Sequence, residues 1–454
     1  MARFQVFFLT LHRALALCAT LAAVRASAAV DQPSSTAKPS STAKPSSTAP
    51  AETADEAAAG ATAEGSEPSQ DEPPPRDTEF SLVPFVGGNS DQGFGGGYIA
   101  SLARLQQYRE PYLYRIDTTG SATFASGRDG LTVPYVDVFL RWKFPHLIPN
   151  LLGLELRASF TRETSLGYYG LGNAAALPAG YERGDDYFKH ERMHPTLQVN
   201  FDYHPHPWVL SWGVSYIENQ VTVPAGTLLA EDMQSDLPYV RELLGNDLPH
   251  GVPKVSFSVG WDTRDNESAP VRGLHISEQA DLIPGTFGEA HYKYGRWTNT
   301  IDVFVPLIPK YRRLVFALRV GSDLLFGNPP FWELPRFDDT FAIGGSRGVR
   351  GVPAQRYYGK IKLLSNAELR SELIAMKILG VQRRLGLVAF LDSGRLWADY
   401  ASHPDLDGTG LGLKYGLGGG LRIASGKTFM LRFDLAWSPE KPGTSGYLLA
   451  GHMF

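Results

Sequence analysis

The sequence has a single cysteine, no long apolar segment and no excess of either charge. Because Cys18 is the only cysteine in 454 residues, disulfide frameworks and clustered-cysteine metal sites are excluded. Lysine and arginine total 43 against 47 acidic residues, a net charge of −4, so no basic field predicts nucleic-acid binding. No segment approaches the length of about 18 apolar residues that a transmembrane helix needs.

Residues 1–29 are predicted to be a secretory signal peptide. Arg3 and Arg13 supply positive charge, and the apolar run ALALCATLAAV (14–24) is too short to span a bilayer. ASA at 26–28 provides the small-residue cleavage pattern. A short membrane anchor is the alternative. Cleavage after this pattern leaves a mature chain without any thiol nucleophile.

Residues 30–78 are predicted to be a disordered linker. QPSSTAKPSSTAKPSSTAP (32–50) repeats proline, serine, threonine and alanine, and an Ala/Glu/Pro-rich stretch follows it. Since almost nothing here can be buried, ordering the segment would cost backbone entropy without compensation. We therefore expect an exported protein whose linker precedes one domain, residues 79–454.

This domain alternates between apolar and polar residues. In KTFMLRFDLAWS (427–438) one face carries apolar and aromatic side chains, whereas the other carries Arg432 and Asp434. RRLVFALRVGSDL (312–324) alternates in the same way. Strands of about ten residues with charged inner faces are typical of an outer-membrane barrel, whereas strands of soluble sandwiches usually have about 5–6 residues.

The alternation predicts an all-β fold, a 16-stranded antiparallel transmembrane β-barrel. The three longest predicted connections, 165–192, 219–251 and 327–359, share one rim, and the opposite rim has short turns such as HPHP (204–207). The second connection is predicted to form one or two short surface helices. The predicted strands are 81–88, 93–103, 110–124, 131–143, 151–164, 193–203, 208–218, 252–262, 272–283, 293–306, 312–326, 360–372, 386–398, 409–422, 427–438 and 446–454.

GGSRG (344–348) matches the G-x-S-x-G turn that exposes a catalytic serine in one class of hydrolases. That turn requires a helix after it, but the following VRGVPAQRYYGK has no helical period. We therefore expect no catalytic role for Ser346, and no enzyme activity. His204 and His206 alone are too few ligands for a metal site, so neither a metal nor another cofactor is predicted.

Four motifs resemble one family. IGGSRGVRGV (343–352), NAELR (366–370) and FLDSG (390–394) together resemble the C-terminal barrel of the BamA/TamA superfamily, also called the bacterial surface antigen family. WDTRDNESAPVRG (261–273) resembles the same family's D-x-R-D-N…P-x-R-G hairpin turn. The resemblance implies insertion or translocation of proteins or lipids at the outer membrane. It implies outer-membrane lipid, client outer-membrane proteins and a separate periplasmic protein as partners.

The resemblance also implies a long loop folded into the barrel lumen, whose arginine meets acidic residues on the next two strands. The matching arginine is Arg350, followed by Gly351, and Val352 stands where the family usually has an aromatic residue. Gly344 and Gly345 allow a crowded loop to bend through conformations that other residues avoid.

Strand alternation independently places two carboxylates in the lumen. Glu368 shares a face with polar residues of its predicted strand, and Asp392 alternates with apolar residues of the next strand. A guanidinium group in a partly dry lumen needs carboxylates in a fork geometry. Arg350 is therefore predicted to meet both, either as a plug that stiffens the barrel or as part of a client-handling cycle.

The printed sequence ends in GYLLAGHMF. A terminal aromatic residue on the final strand resembles the signal by which outer-membrane barrels are recognised for assembly, and this assigns Gly451 and Phe454 to that signal. The alternative is a strand that happens to end in phenylalanine.

Most members of the family carry periplasmic POTRA domains, and residues 30–78 are too short to form one, so we expect a member without them.

Two other functions remain open from the sequence. The alternatives to an insertase are a passive or plugged channel, and a surface-exposed binding protein that uses 165–192 and 219–251. An insertase requires a weak seam between the first and last strands, whereas a channel requires a lumen that the loop leaves open.

Deleting residues 30–78 while keeping the signal peptide should not prevent insertion of the barrel, because the segment offers no apolar face to pack against it. Membrane fractionation and external protease treatment of the variant measure this. A shortened protein that fails to reach the outer membrane would contradict the prediction.

Overall fold

The computed structural model describes residues 78–454 apart from 107–108, 128–129, 149–150, 178–185, 246–247, 267–268, 289–290, 309–313, 339, 342, 379–380, 426–428 and 451. The predicted signal peptide and all but the last residue of the predicted linker lie outside the described residues.

Sixteen antiparallel strands form a closed barrel, as the alternation predicts. Each strand pairs with its neighbours in sequence, so every turn is a hairpin connection. The short strand Gln220–Thr222 continues the seventh strand past Asn219 and pairs with the sixth. The strands are β1 Thr78–Asn89, β2 Gly93–Gln106, β3 Arg109–Gly127, β4 Gly130–Ile148, β5 Leu152–Gly167, β6 Lys189–Tyr203, β7 Trp208–Glu218, β8 Gly251–Asp262, β9 Gly273–Ile283, β10 Tyr294–Pro306, β11 Leu314–Gly327, β12 Ile361–Ile378, β13 Val381–Trp397, β14 Lys414–Ser425, β15 Phe429–Trp437 and β16 Thr444–Ala450.

Side chains alternate between the outer and inner faces of the wall. On β12, Leu363 and Leu369 are exposed on the outside, whereas Lys362 and Glu368 are buried on the inside. Large apolar side chains are exposed around the whole wall, which is the surface that a barrel presents to lipid. The charged residues that alternate with them are paired inside the lumen.

The two rims differ in the length of their connections. The loops after β5, β7 and β11 are long and share one rim, here called the outer rim, whereas turns such as 204–207 form the inner rim. The loop after β7 carries two helices, α1 Leu228–Met233 and α2 Pro238–Leu244, which confirms the predicted short helices. No helix in the described part of the chain is long and apolar enough to cross a membrane.

A buried hydrophobic cluster, here called the outer cluster, joins these loops at the outer rim. Its members come from both helices, from strand ends at that rim and from the loops after β5, β11 and β13. They are Tyr168, Leu171, Leu229, Met233, Val240, Leu243, Leu244, Val252, Ile283, Tyr294, Leu325, Phe331, Trp332, Leu334, Tyr358 and Ala398. The helices are therefore part of a packed cap rather than isolated surface elements.

Several predicted strand boundaries differ from the structure. β12 and β13 extend to the inner rim and meet there, so 360–372 and 386–398 were too short. The prediction that the last strand runs over 446–454 is wrong, because β16 ends at Ala450. Alternation could not show this, since the residues after Ala450 are as apolar as a strand would be.

Candidate functional site

Arg350 lies at the centre of a buried ion cluster in the lumen. Its side chain is 0% exposed, and its guanidinium group meets carboxylates from three strands. Nε and Nη2 donate to the two oxygens of Asp392, at 2.7 and 3.0 Å. Nη1 donates to Glu368 at 2.8 Å and to Asp434 at 2.9 Å. The guanidinium carbon lies 3.4 Å from the ring centre of Phe390.

The surrounding charges keep Arg350 ionised. Burial alone would lower the pKa of Arg350, but Asp392, Glu368 and Asp434 outweigh burial and raise it above its ordinary value. Charge-assisted hydrogen bonds of this fork geometry are the strong ones in a water-poor lumen. Arg350 therefore acts as a permanent cation that holds three strands to one loop.

The loop backbone fits the cluster only because of its glycines. Gly344, Gly345 and Gly351 have φ values of 121°, 77° and 95°, which side chains with a Cβ rarely adopt. At Gly351 a Cβ would approach the backbone of Trp437 to within 2.9 Å. The predicted glycines therefore lie where the loop turns and where it touches the wall.

The carboxylates of the cluster are held by further arginines. Arg370 donates to Glu368 at 2.8 Å, and Arg422 donates to Asp434 at 2.6 Å. The backbone N–H of Arg350 also donates to Asp392, at 3.1 Å. Each carboxylate of the cluster thus receives at least two hydrogen bonds from the protein, which fixes its orientation.

The loop between β11 and β12 reaches β10, β16 and the turn after β1. At β10, Arg296 donates to the carbonyl oxygen of Asp338 at 2.9 Å. At β16, the Tyr447 hydroxyl accepts from the N–H of Gly351 at 2.9 Å. Beyond β1, Asp91 accepts from the N–H of Ala354 at 3.2 Å. These contacts place residues 338–354 across the lumen.

Val352 and Ser346, the other loop residues considered in the sequence, make packing and backbone contacts. Val352 is fully buried in an apolar cluster with Val349 and Tyr357, so the usual aromatic residue is replaced by a smaller one that still packs. Ser346 lies in a turn with no helix after it, and its carbonyl oxygen accepts from Arg432 at 3.1 Å. The described residues include no cluster of metal-ligating side chains.

Phe454 lies inside the barrel rather than in the wall. Its ring lies 4.7 Å from the guanidinium carbons of both Arg319 and Arg370, and its carbonyl oxygen accepts from Arg370 at 3.0 Å. Gly451 lies outside the described residues. The role of these two residues in barrel assembly stays a prediction.

Sequence reasoning did not include Asp434 among the partners of Arg350. The same alternation that placed Glu368 and Asp392 in the lumen also put Asp434 on the polar face of its strand. The pattern could not show that this strand meets the loop, because Asp434 and Arg350 are 84 residues apart in the chain. Tyr447, which holds Gly351, was missed for the same reason.

The seam between β1 and β16 is the weakest contact between neighbouring strands of the barrel. Only Gly88 and Asn89 of β1 pair with β16, opposite Leu448 and Tyr447. On its other side β1 forms twelve pairs with β2. No described residue pairs with Thr78–Gly87 on the side that faces β16.

The fold and this lumen define an integral β-barrel of the outer membrane. Residues 156–447 match the Omp85 superfamily domain, and the chain belongs to that superfamily. The membership predicted from the loop and strand motifs is therefore confirmed.

Two solved structures share the fold. BamA from Haemophilus ducreyi, in a structure lacking POTRA domains 1–3, aligns with a TM-score of 0.53 at 14% identity, over 83% of this chain and 70% of that one. CdiB from Escherichia coli aligns with a TM-score of 0.52 at 12% identity, over 84% of this chain and 64% of that one. No curated protein matches the chain.

Replacing Arg350 with alanine should lower the free energy of unfolding by about 3–5 kcal/mol, because three buried carboxylates lose their shared cation. Urea unfolding of the purified barrel, followed by heat-modifiable gel mobility, measures the change.

Arg347→Ala is the matched control, since Arg347 belongs to the same loop but is exposed. The control should stay within about 0.5 kcal/mol of the parent. Equal stability of the two variants would show that Arg350 does not hold the loop.

Proposed function

We propose that this protein inserts client polypeptides into the outer membrane through the seam between β1 and β16. The observation that carries the proposal is the difference between two residue pairs at this seam and twelve at the β1–β2 contact. The remainder of β1 presents an unpaired edge that can template a further strand. The proposed clients are outer-membrane proteins, which enter the membrane as strands.

The free edge of β1 is unfavourable in lipid. Backbone groups without partners in the hydrocarbon region cost several kcal/mol each, which is why closed barrels span membranes. Every residue from Thr78 to Pro84 is exposed on both faces of the strand, including Phe80 and Leu82. Pairing with an incoming strand would satisfy these groups and supplies the driving force that we propose for client capture.

The lumen and the outer rim argue against a passive channel. The loop that carries Arg350 crosses the lumen, and the outer cluster packs the long loops against one another at the outer rim. A cavity of about 580 Å³ remains between the loop and the walls β1–β10. Steady conduction would require water to pass through a packed apolar cluster, so lateral release at the seam fits the described residues better.

The proposed activity needs no covalent chemistry. Strand pairing exchanges hydrogen bonds, and the residues at the seam and in the loop hold structure rather than a reacting group. We propose that a separate periplasmic protein delivers the clients and that residues 30–78 act as a linker. The insertion of a lipid would require an apolar path along the same seam.

Closing the seam with a disulfide should abolish client insertion. Continuing the observed register places Val86 opposite Ala450, so Val86→Cys with Ala450→Cys would join the strands where they are unpaired. The mature protein is expected to contain no other cysteine, because Cys18 lies in the predicted signal peptide. The folding rate of an unfolded outer-membrane barrel in proteoliposomes should fall at least tenfold, about 1.4 kcal/mol in activation free energy, and recover on reduction.

Ser90→Cys with Gly446→Cys is the control, because these residues already meet at the outer end of the seam, where the Ser90 N–H donates to the Gly446 carbonyl at 3.0 Å. The oxidised control should retain more of the activity than the oxidised Val86–Ala450 variant. Full activity with the Val86–Ala450 disulfide formed would rule out insertion through this seam.

Ser346→Ala should leave the same folding activity unchanged. The contact between Ser346 and Arg432 uses the backbone carbonyl, which alanine keeps. Loss of activity in this variant, measured in the same proteoliposomes, would reopen a chemical role for the hydroxyl group.

A further inference from the structure

A small pocket lies at the inner rim, on the lumen side of β11–β15. Its volume is about 100 Å³, and part of its wall is apolar, with Val388, Ala424 and Met430. The turn between β8 and β9 closes one side through Ala269 and Pro270. Arg350 does not line the pocket, but Arg370 and Arg422, which hold carboxylates of its cluster, do.

The polar part of the wall combines several nitrogen groups with Ser371 and Glu372, and the Glu372 carboxylate lies 3.8 Å from Arg384. Arg370, Arg422 and His452 line the pocket; the two arginines are buried and His452 is half-buried. No residue that the structure describes accepts a hydrogen bond from Arg370 Nη1, from Arg422 Nε or Nη2, or from His452 Nδ1. The Arg422 Nη2 atom lies 3.7 Å from Glu368, beyond hydrogen-bond distance.

The neighbouring carboxylates Glu368 and Asp434 bond other nitrogen atoms and do not reach these ones. Glu368 accepts from Arg350 and Arg370, and Asp434 accepts from Arg350 and Arg422. Arg370 also donates from Nη2 to the Phe454 carbonyl oxygen, at 3.0 Å.

Buried donors in folded proteins are almost always satisfied, and charged donors most of all. We propose that this pocket binds a small phosphate-class oxyanion. Guanidinium forks match phosphate oxygens, and the pocket gathers nitrogen groups from β12, β14 and the segment after β16. The volume admits one such group and is well below the range of about 300–1,000 Å³ for larger ligands.

The location leaves two sources for this group. The pocket is at the rim with short turns, which in outer-membrane barrels faces the periplasm. Inorganic phosphate in solution and the phosphate of a lipid headgroup both offer the required oxygens. The apolar wall beside the arginines would accept the first carbons of a lipid but is not required by the free ion.

The test places a carboxylate inside the pocket. Met430 is half-buried in the pocket wall and pairs with Ala424. Met430→Glu supplies an internal acceptor to Arg422 and should displace the anion, whereas Met430→Gln has the same shape without the charge. Equilibrium dialysis of the purified full-length barrel against radiolabelled orthophosphate, in chloride buffer of constant ionic strength, measures binding.

We expect one phosphate bound per chain in the parent and in Met430→Gln, and at least tenfold weaker binding in Met430→Glu. Absence of saturable binding to the parent, or equal binding to the Glu and Gln variants, would overturn the proposal. Folding of each variant is checked by heat-modifiable mobility. If Met430→Glu does not fold, Ala424→Asp against Ala424→Asn gives the same comparison at the neighbouring wall position.

Competition identifies the source. Displacement of the labelled phosphate by short-chain phosphatidic acid at lower concentrations than by unlabelled phosphate assigns the site to a lipid headgroup. Displacement by unlabelled phosphate alone assigns it to the free ion. Equal displacement by chloride would show that the pocket does not recognise phosphate and would also overturn the proposal.

Discussion

The burial of one guanidinium group constrains the whole lumen. A cation without water must have carboxylates within hydrogen-bond distance, and those that Arg350 meets come from β12, β13 and β15. The loop satisfies this requirement by folding into the lumen. Its remaining contacts, with β10 and with Tyr447 of β16, then follow from where Arg350 must lie.

Because the loop is held in this way, the strand contacts of the barrel differ in strength. The strands that carry the ion cluster are joined by long ladders, and the outer rim is covered by the outer cluster. The seam has no long ladder, since β16 is only seven residues long and Phe454 lies in the lumen rather than in the wall. The strands that carry the ion cluster are therefore firmly joined, whereas the first and last strands of the barrel meet weakly.

Local patterns predicted the parts of this structure that depend on local sequence. Alternation identified the sixteen strands and the inward faces of Glu368 and Asp392, and the motif resemblance pointed to Arg350. Asp434, Tyr447 and the packing of Val352 depend on contacts between segments far apart in the chain, which no period of two or 3.6 residues encodes. The end of β16 was misjudged because an apolar tail packed in the lumen and an apolar strand facing lipid look alike in sequence.

Each described strand of the barrel pairs with both neighbours, but β1 pairs with β16 only at Gly88 and Asn89. Amide hydrogen exchange of the membrane-embedded protein tests this difference most directly, because exchange reports which N–H groups lack a partner. We expect about half of the amides in Thr78–Gly87 to exchange rapidly, since alternate N–H groups of a strand face opposite neighbours, and Gly93–Arg104 of β2 to stay protected. Equal protection of the two segments would contradict this expectation, because it would mean that the seam is closed along its length.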